Sequence, residues 1–443
     1  MKQKFLIYFV LTFFTVLNAQ ERKIEFTEFD LSNGLHVILH QDNSTPIVAV
    51  SVAYHVGSKN EDAKRTGFAH FFEHLMFTGT ENIKIGELDK LLENAGAANN
   101  AYTTQDVTYY YDILPSNQLE LGLWMESERM LHLKIDSNSV ETQRKVVKEE
   151  RSSRYDNKPY GSLWETVFKN AYKKHPYRWT PIGSVQYIDK ATIEEFREFY
   201  KKYYVPENAV LVVAGDINID EAKELVQKYF SDISRGKETI KRPDITEPSL
   251  AYTVRDTVYD NIQLPLVLYA YRIPEQKSDE MYKLNMLSDL LTDGESSRLR
   301  KVLVDEKKLA IEVSSFLYSL EDPGLFVIYA LANYGVSVND IKYALNKEIE
   351  KVKSEMIDEY EFTKLRNNVE SQVVSSNSTM EGIAEELAMN YIFHNNTNLI
   401  NKQLEKYMKV TREDILNCAK QYLPENGRVQ IIYLPKSKMN TQN

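Results

Sequence analysis

The chain has 443 residues, of which 43% are hydrophobic, and it carries a formal net charge of −10. This length exceeds one ordinary domain and predicts two or three, with enough apolar residues for sizeable cores. The negative charge argues against a nucleic-acid-binding protein, which would need a basic face. The single cysteine, Cys418, excludes an internal disulfide, so the cores alone must stabilise the fold.

Residues 1–19 have the pattern of a secretory signal peptide. Lys2 and Lys4 precede an apolar run over residues 5–17, and Ala19 offers a small residue at the cleavage site. The alternative is a membrane anchor, but the run is short for a bilayer span. No later segment is apolar for long enough to cross a membrane. We therefore predict an exported chain, periplasmic or secreted, with no stable membrane span after cleavage.

Residues 20–235 alternate between strand and helix patterns and predict an α+β domain. Alternating runs flank Asn33-Gly34, which is a strong hairpin signal. Further strands are predicted at 47–55, 99–114 and 209–215. Helices are predicted at 64–77, 86–94, 119–133, 139–154, 193–203 and 221–230, with Gly96 and Ser139 as caps.

The second half of the chain repeats the style of the first. Residues 236–249 are the predicted linker, because the surrounding stretch lacks periodicity and is rich in charge, proline and serine. A second domain is predicted at 250–435, followed by a polar tail at 436–443. Its predicted elements are strands at 252–255, 266–271, 310–317, 325–332 and 428–433, helices at 279–291 and 297–304, long helices over 338–393, and a helix at 412–422. We expect two similar domains, each a mostly antiparallel sheet packed with helices.

One stretch within the predicted helix 64–77 has the residue types of a metal site. His70 and His74 are four positions apart, so a helix would place both imidazoles on one face. Glu73 lies towards the same face and could act on a metal-bound water without being a ligand. This H-x-x-E-H order is the reverse of the usual zinc-peptidase motif. The pattern predicts a zinc hydrolase, whereas a helix with merely half-exposed histidines would be the purely structural alternative.

A hydrolytic zinc site needs a third protein ligand as well as an open position for water. The carboxylates of the predicted helix 139–154 are the candidates, namely Glu149 and Glu150. Consecutive helical residues differ by about 100° in direction, so only one of them should face the metal. Helical periodicity alone does not decide between them.

The chain resembles the inverzincin peptidases, a family that includes pitrilysin, insulin-degrading enzyme and the mitochondrial processing peptidase. The resemblance covers essentially the whole mature chain. It rests on GFAHFFEHLMFTGT, NNAYTTQDVTYYYDI, RKVVKEER, HPY and YYVPENAVLVVAGD. It implies a half-clamshell architecture and zinc metalloendopeptidase activity. The family's third ligand matches Glu150, with Glu149 as the fallback, and a position that is often acidic in the family is Gln143 here.

The resemblance also implies roles for individual residues. His70, His74 and Glu150 would hold one Zn²⁺ ion, and Glu73 would be the general base. Residues 100–102, that is Asn100, Ala101 and Tyr102, would lie on an exposed strand edge that pairs with the backbone of a peptide substrate.

The chain departs from the family at the positions that bind substrate from the second half of the clamshell. The family's Arg and Tyr positions fall on Val304 and Ile311, which are both apolar. This departure predicts a zinc-bearing subunit that needs a homologous partner chain to supply an Arg/Tyr pair. A homodimer is the alternative assembly. The alternative function is a non-catalytic binding or assembly subunit of a processing-peptidase-like complex.

Overall fold

The computed structural model describes residues 23–441. The predicted signal peptide, residues 1–19, lies outside the described residues. Within the described range, no helix has the length and apolar character needed to span a membrane.

The N-terminal half contains a six-stranded sheet with the strand order β1-β2-β6-β3-β5-β4. Its strands are β1 Thr27–Asp30, β2 His36–Gln41, β3 Ile47–Tyr54, β4 Ala98–Thr103, β5 Thr108–Pro115 and β6 Ala209–Gly215. All neighbouring strands are antiparallel except β2 and β6, which are parallel. The central strand β6, with the sequence AVLVVAG, is buried throughout, as expected for a β-branched run between two neighbours. Strand β4 forms one edge of the sheet.

The helices of this half are α1 Phe68–Leu75, α2 Glu87–Ala95, α3 Leu119–His132, α4 Ser137–Arg151, α5 Leu163–Ala171, α6 Val185–Lys190, α7 Ile193–Tyr203 and α8 Ile219–Phe230. Helices α1, α3, α7 and α8 pack on one face of the sheet and share its main apolar core. Gly96 ends α2 in a left-handed conformation, as predicted.

The C-terminal half contains a five-stranded sheet with the order β7-β11-β8-β10-β9. Its strands are β7 Val254–Asp260, β8 Leu266–Arg272, β9 Ala310–Tyr318, β10 Leu325–Ala332 and β11 Arg428–Pro435. Its helices are α9 Glu280–Thr292, α10 Val338–Ser354, α11 Glu359–Ser376, α12 Met380–His394, α13 Gln403–Met408 and α14 Arg412–Tyr422. Here too one pair of neighbours, β7 and β11, is parallel and the others are antiparallel. The predicted fold class, two similar and mostly antiparallel sheets packed with helices, is confirmed.

The second face of each sheet is covered by a helix from the other half. Helix α12, from the C-terminal half, packs Leu387 and its apolar neighbours against β3 and β6. Helix α5, from the N-terminal half, packs Val167 and Phe168 against β8 and β11. The two halves therefore share two of the four main apolar clusters of the described chain. The predicted domain boundaries remain a prediction.

Several predicted elements have different bounds in the structure; for example, the helical stretch predicted at 338–393 is the three helices α10, α11 and α12. The predicted strand 99–114 is the β4–β5 hairpin, because the Thr104 hydroxyl oxygen accepts hydrogen bonds from the amides of Asp106 (3.1 Å) and Val107 (3.0 Å) and reverses the chain. Helix α4 starts earlier than predicted, because Asp136 is its cap and accepts a hydrogen bond from the Ser139 amide at 2.9 Å. Ser139, predicted as the cap, instead lies inside the first turn.

Candidate active site

Helix α1 starts later than the predicted helix 64–77, because the chain turns sharply just before it. Gly67 has a φ of 101°, a left-handed conformation that glycine adopts at little cost, and it caps the helix. The Glu61 carboxylate accepts hydrogen bonds from the amides of Gly67 (3.0 Å) and Ala69 (2.8 Å). Burial raises the pKa of Glu61 to about 8, a rise that these hydrogen bonds oppose, and the hydrogen bonds satisfy free amides at the helix start. The start of α1 is thus held by a buried side chain.

The two faces of α1 have different chemistry. The apolar face is buried in the core and packs on the aromatic residues of α7; its residues are Phe68, Phe71, Phe72 and Leu75. The opposite face carries His70, Glu73 and His74, which are half-buried or nearly buried. Burial of the phenylalanines fixes the direction in which the three polar side chains point.

Helix α4 brings Glu150 to the two histidines. Glu150 Oε2 lies 3.0 Å from His74 Nε2 and 3.5 Å from His70 Nε2. One donor atom from each of the three residues lies within 4.8 Å of the others, and they are the one such group of candidate metal ligands among the described residues. Zinc–ligand bonds of about 2.0–2.2 Å place tetrahedral donors roughly 3.3–3.6 Å apart. Two imidazoles and a carboxylate gathered this closely are the donor types that zinc binds in catalytic sites.

The ionisation of these side chains also suits a metal. Burial, assisted by the neighbouring His74, lowers the pKa of His70 to about 4, so its imidazole is neutral at pH 7. The hydrogen bond from His74 lowers the pKa of Glu150 below its usual value. A neutral imidazole and an ionised carboxylate are the forms that bind metal. Glu149 is exposed on α4, so the structure places Glu150, and not Glu149, beside the histidines.

Arg154 was not found from the sequence, although its spacing from Glu150 could have indicated it. Its guanidinium donates a hydrogen bond to Glu150 Oε1 at 2.7 Å, one helical turn away. This contact occupies one carboxylate oxygen and leaves the other facing the histidines. Gln143 lies two turns earlier on α4 and is half-buried.

Glu73 contacts the edge strand. The Thr103 hydroxyl, at the end of β4, donates a hydrogen bond to Glu73 Oε2 at 2.5 Å. Burial raises the pKa of Glu73 above its usual value, and the Thr103 hydrogen bond opposes this rise. A raised pKa makes a carboxylate a better proton acceptor near neutral pH. Thr103 was not predicted as a site residue, although the alternation of β4 places it on the same face as Ala101.

Residues 100–102 lie on β4, at the edge of the sheet beside α1. The Ala101 amide donates to the side chain of Asn100 at 2.9 Å rather than to β5, so it points towards the open edge. Ala101 packs on the α1 side of the sheet, whereas Tyr102 packs on the α12 side. The Tyr102 hydroxyl donates a hydrogen bond to the Glu385 side chain at 2.5 Å. The strand therefore has a backbone amide at its open edge. An incoming peptide can accept a hydrogen bond from this amide in place of the Asn100 side chain.

The C-terminal half has no comparable polar group at the two positions that the family uses for substrate. Val304 lies in a π-helical segment, Arg300–Glu306, and packs against the C-terminal core. Ile311 lies on β9 and is 49% exposed. The structure does not bring either residue to the three candidate ligands.

Two family models match most of the chain. Residues 36–182 match "Insulinase (Peptidase family M16)", and residues 190–369 match "Peptidase M16 inactive domain". The chain is 31% identical over 422 residues to the zinc protease PqqE of Helicobacter pylori, covering 95% of each protein. It is 27% identical over 403 residues to an uncharacterized zinc protease of Mycobacterium leprae, covering 89% of this chain and 88% of that one.

Solved structures show the same fold. A protease from Helicobacter pylori superposes with a TM-score of 0.89 at 30% identity and covers 93% of this chain and 100% of that one. The periplasmic protease PqqL from Escherichia coli gives a TM-score of 0.75 at 20% identity, covering 92% of this chain but 47% of its own. The first half of PqqL alone matches over 92% of its length. The chain therefore belongs to the M16 family of peptidases, the inverzincins, and its relatives include proteins named zinc proteases.

Proposed function

We propose that this chain is the zinc-bearing subunit of an exported metalloendopeptidase that cleaves peptides or unfolded segments. The carrying observation is the convergence of donor atoms from His70, His74 and Glu150 within 4.8 Å, with Glu73 on the same helix face. Three ligands beside a free carboxylate suit a catalytic rather than a structural zinc site. The family relationship supports the same assignment.

In this proposal each group of the site has a separate task. His70, His74 and Glu150 hold one zinc ion, which supplies Lewis acidity and lowers the pKa of water when it is bound. Glu73 accepts a proton from the attacking water and transfers it to the leaving amine. Thr103 keeps the Glu73 carboxylate in place through its hydrogen bond. The open edge of β4 aligns the substrate backbone as an added strand.

We further propose that the active enzyme pairs this chain with a homologous chain that carries the missing Arg/Tyr pair. Val304 and Ile311 leave this chain without those groups. PqqL, about half of which matches this chain, supports an assembly of two such units. A homodimer is the second possible assembly. The apolar residues at these two positions also favour the second candidate function, a non-catalytic binding subunit.

Zinc analysis combined with Glu73→Gln distinguishes the two functions. We expect one zinc per chain in the wild type and in Glu73→Gln, because Glu73 is not a ligand in the proposal. The kcat of the assembled enzyme should fall about a thousandfold in Glu73→Gln, since a general base contributes 10²–10⁴-fold. Glu81→Gln, in the exposed loop after α1, should leave kcat unchanged. A wild-type chain without zinc, or undiminished cleavage by Glu73→Gln, would refute the peptidase assignment.

A further inference from the structure

The two halves of the chain meet at a buried group of charges, which we call the junction cluster. It consists of Lys59 and Asp106 from the N-terminal half and Glu321 and Asp322 from the turn between β9 and β10. Lys59 Nζ lies 2.9 Å from Asp106 Oδ1 and 3.1 Å from Asp322 Oδ2, and it also pairs with Glu321. The Lys59 side chain is 2% exposed. Removing one partner from such a group leaves a buried charge uncompensated, which is strongly unfavourable.

Hydrogen bonds from backbone amides of the C-terminal half to side chains of the N-terminal half reinforce the ion pairs of the junction cluster. Asp106 Oδ2 accepts a hydrogen bond from the Glu321 amide at 3.0 Å. The Tyr177 hydroxyl donates to Asp106 Oδ1 at 2.6 Å and accepts from the Asp322 amide at 3.0 Å. His55 Nε2 lies 3.0 Å from Glu321 Oε2. The turn of the C-terminal half is thereby fixed against a turn of the N-terminal half.

Asp106 belongs to the β4–β5 turn, which leads directly to the proposed general base. Thr104 closes this turn with its hydroxyl oxygen, which accepts from the Asp106 amide, and with its own amide, which donates to Val107 at 2.8 Å. The preceding residue, Thr103, donates to Glu73. A shift of Asp106 therefore moves a closed turn and, with it, the hydroxyl that holds Glu73.

Lys59 provides a second connection, to the metal helix. Its amide donates to the Gln105 carbonyl at 2.8 Å. Gly57 allows this close approach, because a Cβ on it would lie 2.5 Å from the Gln105 backbone. Glu61, two residues after Lys59, accepts hydrogen bonds from the first amides of α1. The same buried lysine thus anchors the segment that caps the helix carrying His70 and His74.

We propose that Glu321, which lies in the segment matched by the M16 inactive-domain model, is a positioning residue for the active site of the other half. Its carboxylate acts through Lys59, which pairs with Asp106, and so sets the position of Thr103, and hence of Glu73, and of the start of α1. This inference rests on the proposed function, because it gives Glu73 and the metal helix their roles. Coupling through packed and hydrogen-bonded contacts of this kind is testable by substitution at the far end.

The experiment uses the full mature chain with Glu321→Ala and two readouts. Amide hydrogen exchange of the metal-free chain should become at least about tenfold faster over residues 103–107, since the Glu321 side chain no longer holds Lys59 and the turn loosens. The zinc Kd, measured by competition with a chelator, should rise about three- to tenfold. In the assembled enzyme, kcat should fall about tenfold with KM within twofold, because misplacement of the base acts on the chemical step.

Asn401→Ala is the matched control. Asn401 also joins the two halves, through hydrogen bonds of 2.8 Å to the amide and carbonyl of Ile24, but it does so near the opposite edge of the N-terminal sheet. It should lower stability and leave exchange at 103–107, zinc affinity and kcat unchanged. A merely structural Glu321 would behave in the same way.

Folded Glu321→Ala with wild-type exchange at 103–107 and wild-type zinc affinity would overturn the proposal. If Glu321→Ala does not fold, Glu321→Gln, which keeps the side-chain volume and an acceptor, is judged by the same criteria. A wild-type chain that binds no zinc would refute the proposed function instead, and the exchange measurement would still decide the coupling. The two failures are therefore distinguishable.

Discussion

The two halves of the molecule repeat one sheet topology and differ in the side chains that their helices place beside the edge strand. Strands β2-β6-β3-β5-β4 correspond in order and direction to β7-β11-β8-β10-β9. In each half, a hydroxyl on the edge strand contacts a preceding helix. Thr103 on β4 donates to Glu73 of α1, whereas Ser315 on β9 contacts Ser288 and Thr292 of α9. The partner of the edge-strand hydroxyl is thus a carboxylate in one half and neutral hydroxyls in the other.

This difference shows where the chemistry of the fold lies. Helix α9 is mostly apolar and buried, with Leu284, Leu287 and Leu291 in the C-terminal core. Helix α1 buries its phenylalanines equally well but turns His70 and His74 away from the core. A shared scaffold does not dictate a shared activity, because the site depends on a few side chains on one helix face. The comparison also supports duplication of the two halves, which their sequences alone do not show.

Helices α5 and α12 each cover the sheet of the other half, so substitutions in them should have the largest effect on both halves together. Phe168→Ala in α5 should lower the free energy of unfolding by about 3–5 kcal/mol, and Leu387→Ala in α12 by about 2–5 kcal/mol, because each empties a fully packed site. Leu387→Ala should speed hydrogen exchange in β3 and β6, although it lies in the other half. Urea denaturation and exchange measure these effects, with the exposed Val374→Ala as a control within about 0.5 kcal/mol. Two separate unfolding transitions would show that the halves are independent.

Removing the candidate third ligand, Glu150, tests whether α4 completes the metal site. Glu150→Gln should weaken zinc binding by more than about a hundredfold, since even indirect partners of a zinc ligand contribute 10–100-fold. Glu149→Gln, one residue away and exposed, should stay within twofold of the wild type. Chelator competition measures both affinities. Equal losses in the two variants would place the ligand elsewhere.

Substitutions of Thr103 and Ser315 give a direct test of the difference between the two edge strands. Thr103→Val should lower kcat about tenfold with little change in KM, because a hydrogen bond to a charged group contributes about 1.5–3 kcal/mol and water replaces it in part. Ser315→Val, on the edge strand of the other half, should leave kcat unchanged and lower only stability. Steady-state kinetics of the assembled enzyme measures both variants. An equal loss of kcat in the two would contradict the prediction.

The junction between the halves should weaken in acid. Burial alone would raise the pKa of Glu321, but His55 and Lys59 outweigh it and lower the pKa to about 2 from the usual 4.5. A lowered pKa in the folded state stabilises the protein above pH 4.5, and this contribution is lost as the pH falls towards 2. Between pH 5 and 3, Glu321→Gln should therefore lose about 1–2 kcal/mol less than the wild type after allowance for solvent screening. Urea midpoints over this range measure the difference, and parallel curves would contradict it.

Local patterns were sufficient to predict much of the fold and part of the site. The spacing of His70 and His74 indicated a shared helix face, and alternation indicated most strands. Periodicity could not choose between Glu149 and Glu150, because the answer depends on how α4 packs against α1. The role of Thr103 depends on a turn that only the Thr104 hydrogen bonds reveal. The buried Lys59 could not be foreseen, because its partners Glu321 and Asp322 are more than 260 residues away.

Helix α12 also has a consequence for how the chain reaches its folded state. The second face of the N-terminal sheet, including Val210 and Val212, is covered by residues 380–394. During synthesis this apolar face has no native cover until nearly the whole chain has been made. Contacts between such distant segments form late, because closing a long loop is slow. A nascent chain of this kind therefore keeps one face of its N-terminal sheet without its native cover until α12 has emerged.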